Sequence, residues 1–96
     1  MIQSFADAAT EDLFNGKHTK AARAVPSNIW PIVSRKLDMV NAARDLNDLK
    51  SPPGNRLEML KGNQRGRHSI RVNDQFRLTF RFESGNAYDV RCEDYH

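Results

Sequence analysis

From Arg67 to Phe82 the chain alternates basic or polar residues with apolar ones. Arg67, Ser69, Arg71, Arg77, Thr79 and Arg81 interleave with His68, Ile70, Val72, Phe76, Leu78, Phe80 and Phe82. Successive side chains of an extended strand point to opposite faces, so this spacing predicts a sheet with one apolar and one cationic face. Arginine carries a planar fork of donors that matches phosphate oxygens, and a row of arginines on a sheet suits a phosphate backbone. The C-terminal Asp94-Tyr95-His96 adds titratable groups. Among them is a histidine, whose ordinary pKa of ~6.5 makes both protonation states available near neutrality.

Composition sets the frame for that chemistry. With 96 residues, 39% of them hydrophobic, the chain suits a single domain, 1–96, with one core. Formal charge is +3, a modest bias toward polyanions. The bias sharpens through placement, because Arg56, Lys61, Arg65, Arg67, Arg71, Arg77 and Arg81 fall together against Glu58 and Asp74. The single cysteine, Cys92, excludes an internal disulfide, and no signal peptide or long apolar run is present. A cytoplasmic location with no membrane association is therefore expected. Cys92 falls on the apolar parity of its strand and reads as a buried structural thiol. His18, His68 and His96 lack metal-ligand spacing, so neither a metal nor a cofactor is expected.

The elements that must position these groups follow from periodicity and punctuation. Met1 to Phe5 alternates like a short edge strand, and Asp7 can cap a first helix carrying Ala8, Leu13 and Phe14, stopped at Asn15-Gly16. Lys17 to Ala24 reads as a mobile polar connection, and His18 within it has no expected catalytic duty. Pro26-Ser27-Asn28 opens the strongest helix, with Ile29, Val33, Leu37, Val40 and Ala43 on one stripe, Pro31 in the first turn, and Trp30 and Met39 as flanking core anchors. Ser51-Pro52-Pro53-Gly54 ends the helical region. Strands are expected at 56–60, 67–72, 75–82 and 87–93, with turns at Asn73-Asp74 and Ser84-Gly85-Asn86.

On that register Ile70, Val72, Phe76, Leu78, Phe80, Phe82, Tyr88, Val90 and Cys92 share the apolar face, for the helices to cover. Ser69, Arg71, Arg77, Thr79, Arg81, Asp89 and Arg91 share the other. Arginines on neighbouring strands repel unless acids or a bound anion intervene, and Asp89 can neutralise one of them.

Four stretches together carry a family resemblance: Ser51-Pro52-Pro53-Gly54-Asn55-Arg56-Leu57-Glu58, Leu60-Lys61-Gly62, His68 through Leu78, and the terminal Asp94-Tyr95-His96. With the opening Met1-Ile2-Gln3-Ser4-Phe5, the chain resembles the HigB toxins of the RelE/ParE superfamily over its whole length. The resemblance implies an α+β fold with two N-terminal helices packed on one face of a small, curved, mainly antiparallel sheet. It implies a type II toxin that cleaves messenger RNA in the ribosomal A site, and a HigA-type helix-turn-helix antitoxin as partner. The toxin alone is expected to be a monomer that enters a higher-order complex with its antitoxin. The resemblance places functional groups near Lys61, His68, Arg77 and Asp94-Tyr95-His96. Where family members carry a histidine in Leu-His-Pro-Leu-Lys-Gly, this chain has Glu58 in Leu57-Glu58-Met59-Leu60-Lys61-Gly62, which leaves the general base open.

RNA cleavage needs no cofactor, because the ribose 2′-hydroxyl is a nucleophile within the substrate. The protein must remove its proton, stabilise charge on the phosphorane and protonate the leaving 5′-oxygen. His96 is the first candidate for proton transfer, with His68 or Glu58 as the complementary group. Tyr95 can stack on a base or orient the phosphate, and Asp94 can fix the His96 tautomer. Arg77 and Lys61 are candidate stabilisers of the phosphorane, and Arg71, Arg81, Arg65 and Arg67 candidate holders of flanking RNA phosphates. His68 shares parity with Ile70 and Val72 and can instead turn inward. Two other readings stay open at this point: a ParE-like DNA gyrase poison and a non-catalytic nucleic-acid-binding module.

Overall fold

The computed structural model describes residues 1–95. Two helices, α1 (Ala8–Phe14) and α2 (Trp30–Ala42), precede four strands: β1 (Glu58–Met59), β2 (Arg67–Arg71), β3 (Phe76–Glu83) and β4 (Asn86–Asp94). The strands form one antiparallel sheet in the order β1-β2-β3-β4, and both helices pack on it. This is the α+β arrangement that the resemblance implies.

Each helix begins where its sequence provides for one. The Asp7 carboxylate accepts the Thr10 N–H at 2.8 Å and satisfies one of the donors a helix N-terminus leaves unpaired. Pro31 lies in the first turn of α2, where its missing N–H removes no helical bond. The α2 stripe is buried as spaced: Val33, Leu37 and Val40 have no exposure, and Ile29 and Ala43 are buried beside them. They meet Ile70, Leu78, Phe80 and Val90 from the sheet in one core. Trp30 and Met39 pack partly buried against it, and the Trp30 indole N–H donates to the Val25 carbonyl at 2.7 Å.

Several local readings change. Residues 17–24 are fastened to the body: Ala21–Ala24 form a 3-10 turn, Ala22 is fully buried, and Thr19 binds both the Asp12 carboxylate and the Ala22 N–H. Small residues in a polar stretch gave no sign of this docking. α2 stops at Ala42, well before the prolines, and a separate turn at Leu46–Lys50 is closed by a reciprocal Asp45–Asp48 capping box. The first sheet strand shrinks to two residues, because Pro53–Asn55 form another turn and Arg56 takes a left-handed φ of 45°. The opening segment makes isolated parallel bridges to β4, Ile2 to Ala87 and Phe5 to Val90, in place of a regular edge strand.

The β3–β4 pairing contains the feature that most affects the cationic face. Thr79 pairs with Arg91 and Arg81 with Tyr88, so β4 holds one extra residue between them, with Asp89 at a left-handed φ of 52°. Such a bulge reverses the parity of everything beyond it. The serine at position 4 stabilises it: its hydroxyl oxygen accepts the Asp89 N–H at 2.9 Å, and its carbonyl accepts the Val90 N–H at 3.1 Å. Tyr88 consequently pairs on the arginine side and Ala87, fully buried, takes the core position opposite Phe82. The placement of Tyr88 on the apolar face is thereby corrected.

Candidate functional site

The register lays three rows across the cationic face: Arg71, Arg77 and Glu93; Glu58, Ser69, Thr79 and Arg91; Arg67, Arg81 and Tyr88. Arg77 is the best-held cation. Its guanidinium donates to the Ser69 hydroxyl and to Glu58, each at 3.2 Å, and lies 4.2 Å from the Tyr95 ring centroid. With only 8% of its surface exposed, it is pinned by an acid, a hydroxyl and an aromatic face.

Three other arginines of this face are also matched by acids. Arg71 pairs with Asp74. Arg81 approaches Glu83 at 3.0 Å and Asp89 at 3.6 Å, and lies 4.8 Å from the Tyr88 ring centroid. Arg91 reaches Asp7 at 3.4 Å and Glu93 at 3.6 Å. The like-charge strain expected of adjacent arginines is thus relieved by carboxylates. Arg67 is held differently, donating to the Thr79 hydroxyl oxygen at 3.0 Å and the Asp89 carbonyl at 2.8 Å. Among the described residues no carboxylate lies within ion-pair distance of Arg67, Lys61 or Arg65.

A cavity of about 310 Å³ opens beside this network, lined by Leu60, Lys61, Gln64, Thr79, Glu93, Asp94 and Tyr95. Lys61 reaches it from the segment after β1, where Gly62 turns the chain at φ 64°, a conformation costly for a residue with a Cβ. Asp94 accepts from the Gln75 side-chain amide at 2.9 Å. The arrangement combines cations, an aromatic surface and carboxylates around a space of ligand size. No group of three or more metal-ligating side chains occurs among the described residues.

The structure therefore brings together Arg77, Glu58, Tyr95, Lys61 and Asp94, with Arg67, Arg71 and Arg81 on the same face and exposed Arg65 in the β1–β2 connection. It does not bring His68 to them. His68 pairs with Met59 and Phe80 in the apolar register, and its ring sits 6.2 Å from that of Phe80. Burial pushes its imidazole below the ordinary histidine value. His96 lies outside the described residues. Cys92 is buried, and desolvation with the nearby charges of Asp7 and Glu93 pushes its thiol up to about 12, as an inert packing group requires.

Sequence reasoning did not single out Ser69, Thr79, Glu93 or Tyr88 as site residues. Glu93 shares strand parity with Arg91 and was accessible to the same alternation rule. Tyr88 was not, because nothing in the composition of β4 announces the bulge.

Comparison with known proteins agrees with this geometry. Residues 3–96 match the family model for the RelE-like toxin of type II toxin–antitoxin system HigB. Toxin HigB-1 of Vibrio cholerae is 42% identical over 90 residues, spanning 94% of this chain and 93% of its own. Endoribonuclease HigB of Proteus vulgaris is 32% identical over 96 residues, all of both chains. A Haemophilus influenzae protein of undescribed function is 47% identical over 66 residues, 69% of this chain and 65% of its own. Among solved structures, a YafQ mutant from E. coli superposes with a TM-score of 0.64 at 12% identity, covering 99% of this chain and 92% of that one. The YoeB–YefM complex from Staphylococcus aureus gives 0.61 at 20% identity, covering 100% and 98%. Those last two likenesses establish the fold, and the sequence matches establish descent: the chain belongs to the HigB family of RelE-like toxins of type II toxin–antitoxin systems.

Proposed function

We propose that this toxin is an endoribonuclease that cuts messenger RNA in the ribosomal A site, with the cationic sheet face as the RNA surface. The observation that carries the reading is the buried Arg77, fixed between Glu58, Ser69 and Tyr95, where Tyr95 lines a cavity together with Lys61. A guanidinium held in advance stabilises developing phosphorane charge without reorganising during the reaction. The name Endoribonuclease HigB, borne by a relative matched end to end, supports the same activity.

Arg77 and Lys61 oppose the phosphorane charge, and Glu58, committed to Arg77, holds that guanidinium in place. Tyr95, half exposed over Arg77, offers a ring on which a base can stack. Arg67, Arg71, Arg81 and Arg65 bind flanking phosphates. His96, next in the chain to Tyr95, transfers a proton, and Asp94 orients it. A HigA-type helix-turn-helix protein is the antitoxin, and the domain 1–96 acts in the cytoplasm, where ribosomes are. No helix among the described residues is long and apolar enough to cross a membrane.

Single-turnover cleavage on programmed 70S ribosomes tests this directly. His96→Gln is expected to slow the cut by about 10²-fold or more while leaving ribosome binding unchanged. An unaltered rate removes His96 from the chemistry. DNA damage without codon-linked cuts would place the chain with gyrase poisons.

A further inference from the structure

We infer that Glu93 is the general base, taking the proton of the ribose 2′-hydroxyl. This assignment rests on the RNA-cleaving reading above and fills the complementary role that His68, on the opposite face, is not placed to fill.

Three observations lead to it. Glu93 lines the same cavity as Lys61 and Tyr95, with its side chain only 19% exposed. One of its oxygens, Oε2, accepts the Thr79 hydroxyl. That hydroxyl oxygen in turn accepts from Arg67, whose guanidinium is anchored on the Asp89 carbonyl. A hydroxyl has one proton to give, so the Arg67 contact commits the Thr79 proton to Glu93 and locks the carboxylate in one orientation. The second oxygen, Oε1, accepts no hydrogen bond from the described residues; its nearest cation, Arg91 Nη1, stands at 3.6 Å, beyond hydrogen-bond distance. A fixed carboxylate whose second oxygen accepts no hydrogen bond, and keeps only the longer ion pair to Arg91, is suited to proton removal in a substrate-sized cavity. The alternative carboxylate, Glu58, is more exposed at 44% and already accepts a hydrogen bond from the Arg77 guanidinium.

In the reaction Glu93 Oε1 takes the 2′-hydroxyl proton as the 2′-oxygen bonds to phosphorus. The bond from phosphorus to the 5′-oxygen breaks, and that oxygen leaves with the proton supplied by His96. The products are a 2′,3′-cyclic phosphate and a 5′-hydroxyl, and proton exchange with water resets both groups.

The test uses the full-length chain on 70S ribosomes carrying a defined message, read by single-turnover cleavage at saturating toxin. Glu93→Gln keeps an oxygen to accept the Thr79 hydroxyl but removes the base, so the rate is expected to fall about 10²-fold or more with ribosome affinity unchanged. Glu93→Asp, which keeps a carboxylate, should cleave at least about tenfold faster than Glu93→Gln. A merely structural Glu93 predicts Glu93→Gln within about threefold of the parent rate, and that result overturns the assignment. Equal rates for the Asp and Gln variants overturn it as well. Absence of cleavage by the unaltered toxin would instead reject the ribonuclease reading itself, a result distinct from either.

Discussion

The two faces of one sheet are built on different physics. On the helix side Ile70, Leu78, Phe80 and Val90 are completely buried against α1 and α2, and their contribution is non-directional removal of apolar surface from water. On the other side Arg71, Arg77, Arg81 and Arg91 are each matched to carboxylates. The exposed pairs of Arg71, Arg81 and Arg91 add little stability, typically ~0–1 kcal/mol, and only Arg77 among the four arginines is buried. Their effect is geometric: they hold guanidiniums in position on the face proposed to meet RNA. Folding is thus carried by one face while the other presents ordered cations, the surface proposed above for RNA, although both alternate along the same strands.

The sharpest way to break that division is to substitute neighbours of opposite facing. Phe80→Ala, in the core, should cost about 3–5 kcal/mol, whereas Arg81→Ala should change stability by less than about 1 kcal/mol. Urea unfolding of both variants measures the contrast, and similar losses would show that the cationic face shares in stability. A smaller effect separates cations within that face. Lys61 has no carboxylate within ion-pair distance among the described residues, while Arg71 already holds Asp74. Lys61→Ala should reduce the slope of log affinity for single-stranded RNA against log salt by about 0.7, the value for one phosphate contact. Arg71→Ala should reduce it less, because binding through Arg71 frees a carboxylate that recruits a cation. Filter binding across a salt series decides, and equal slopes for the two variants would count against acids acting as stand-ins for phosphate.

The smallest expected effect concerns His68, the one titratable residue whose parity places it on the apolar side of β2. Burial lowers its folded value below the unfolded one, so the folded chain binds fewer protons between the two. Stability is complete above the unfolded value of ~6.5, falls as pH drops through the window, and levels off below the folded value. Thermal midpoints of the parent should therefore fall more on acidification than those of His68→Gln. Parallel curves would mean that the imidazole is solvated equally in both states.

Alternation and capping made much of this molecule legible. The α2 stripe, the Asp7 cap, the β2–β3 hairpin and the membership of Arg71, Arg77, Thr79 and Arg81 in one face follow from local rules of period and turn chemistry. Local rules cannot see partners brought from afar. The bulge at Asp89 depends on Ser4, the burial of Ala22 depends on surfaces offered by the packed helices, and the tie of Arg77 to Glu58 spans separate strands.

The order of side chains along each strand fixed which residues could share a surface, because the two-residue repeat of extended backbone is intrinsic to the chain. Which of those residues meet was decided only on folding. A single extra residue in β4 sent Tyr88 to the arginines and Ala87 to the core, and the Arg67 hydrogen bond turned the Thr79 hydroxyl toward Glu93. Parity is a property of the strand, whereas register and rotamer are properties of its neighbours.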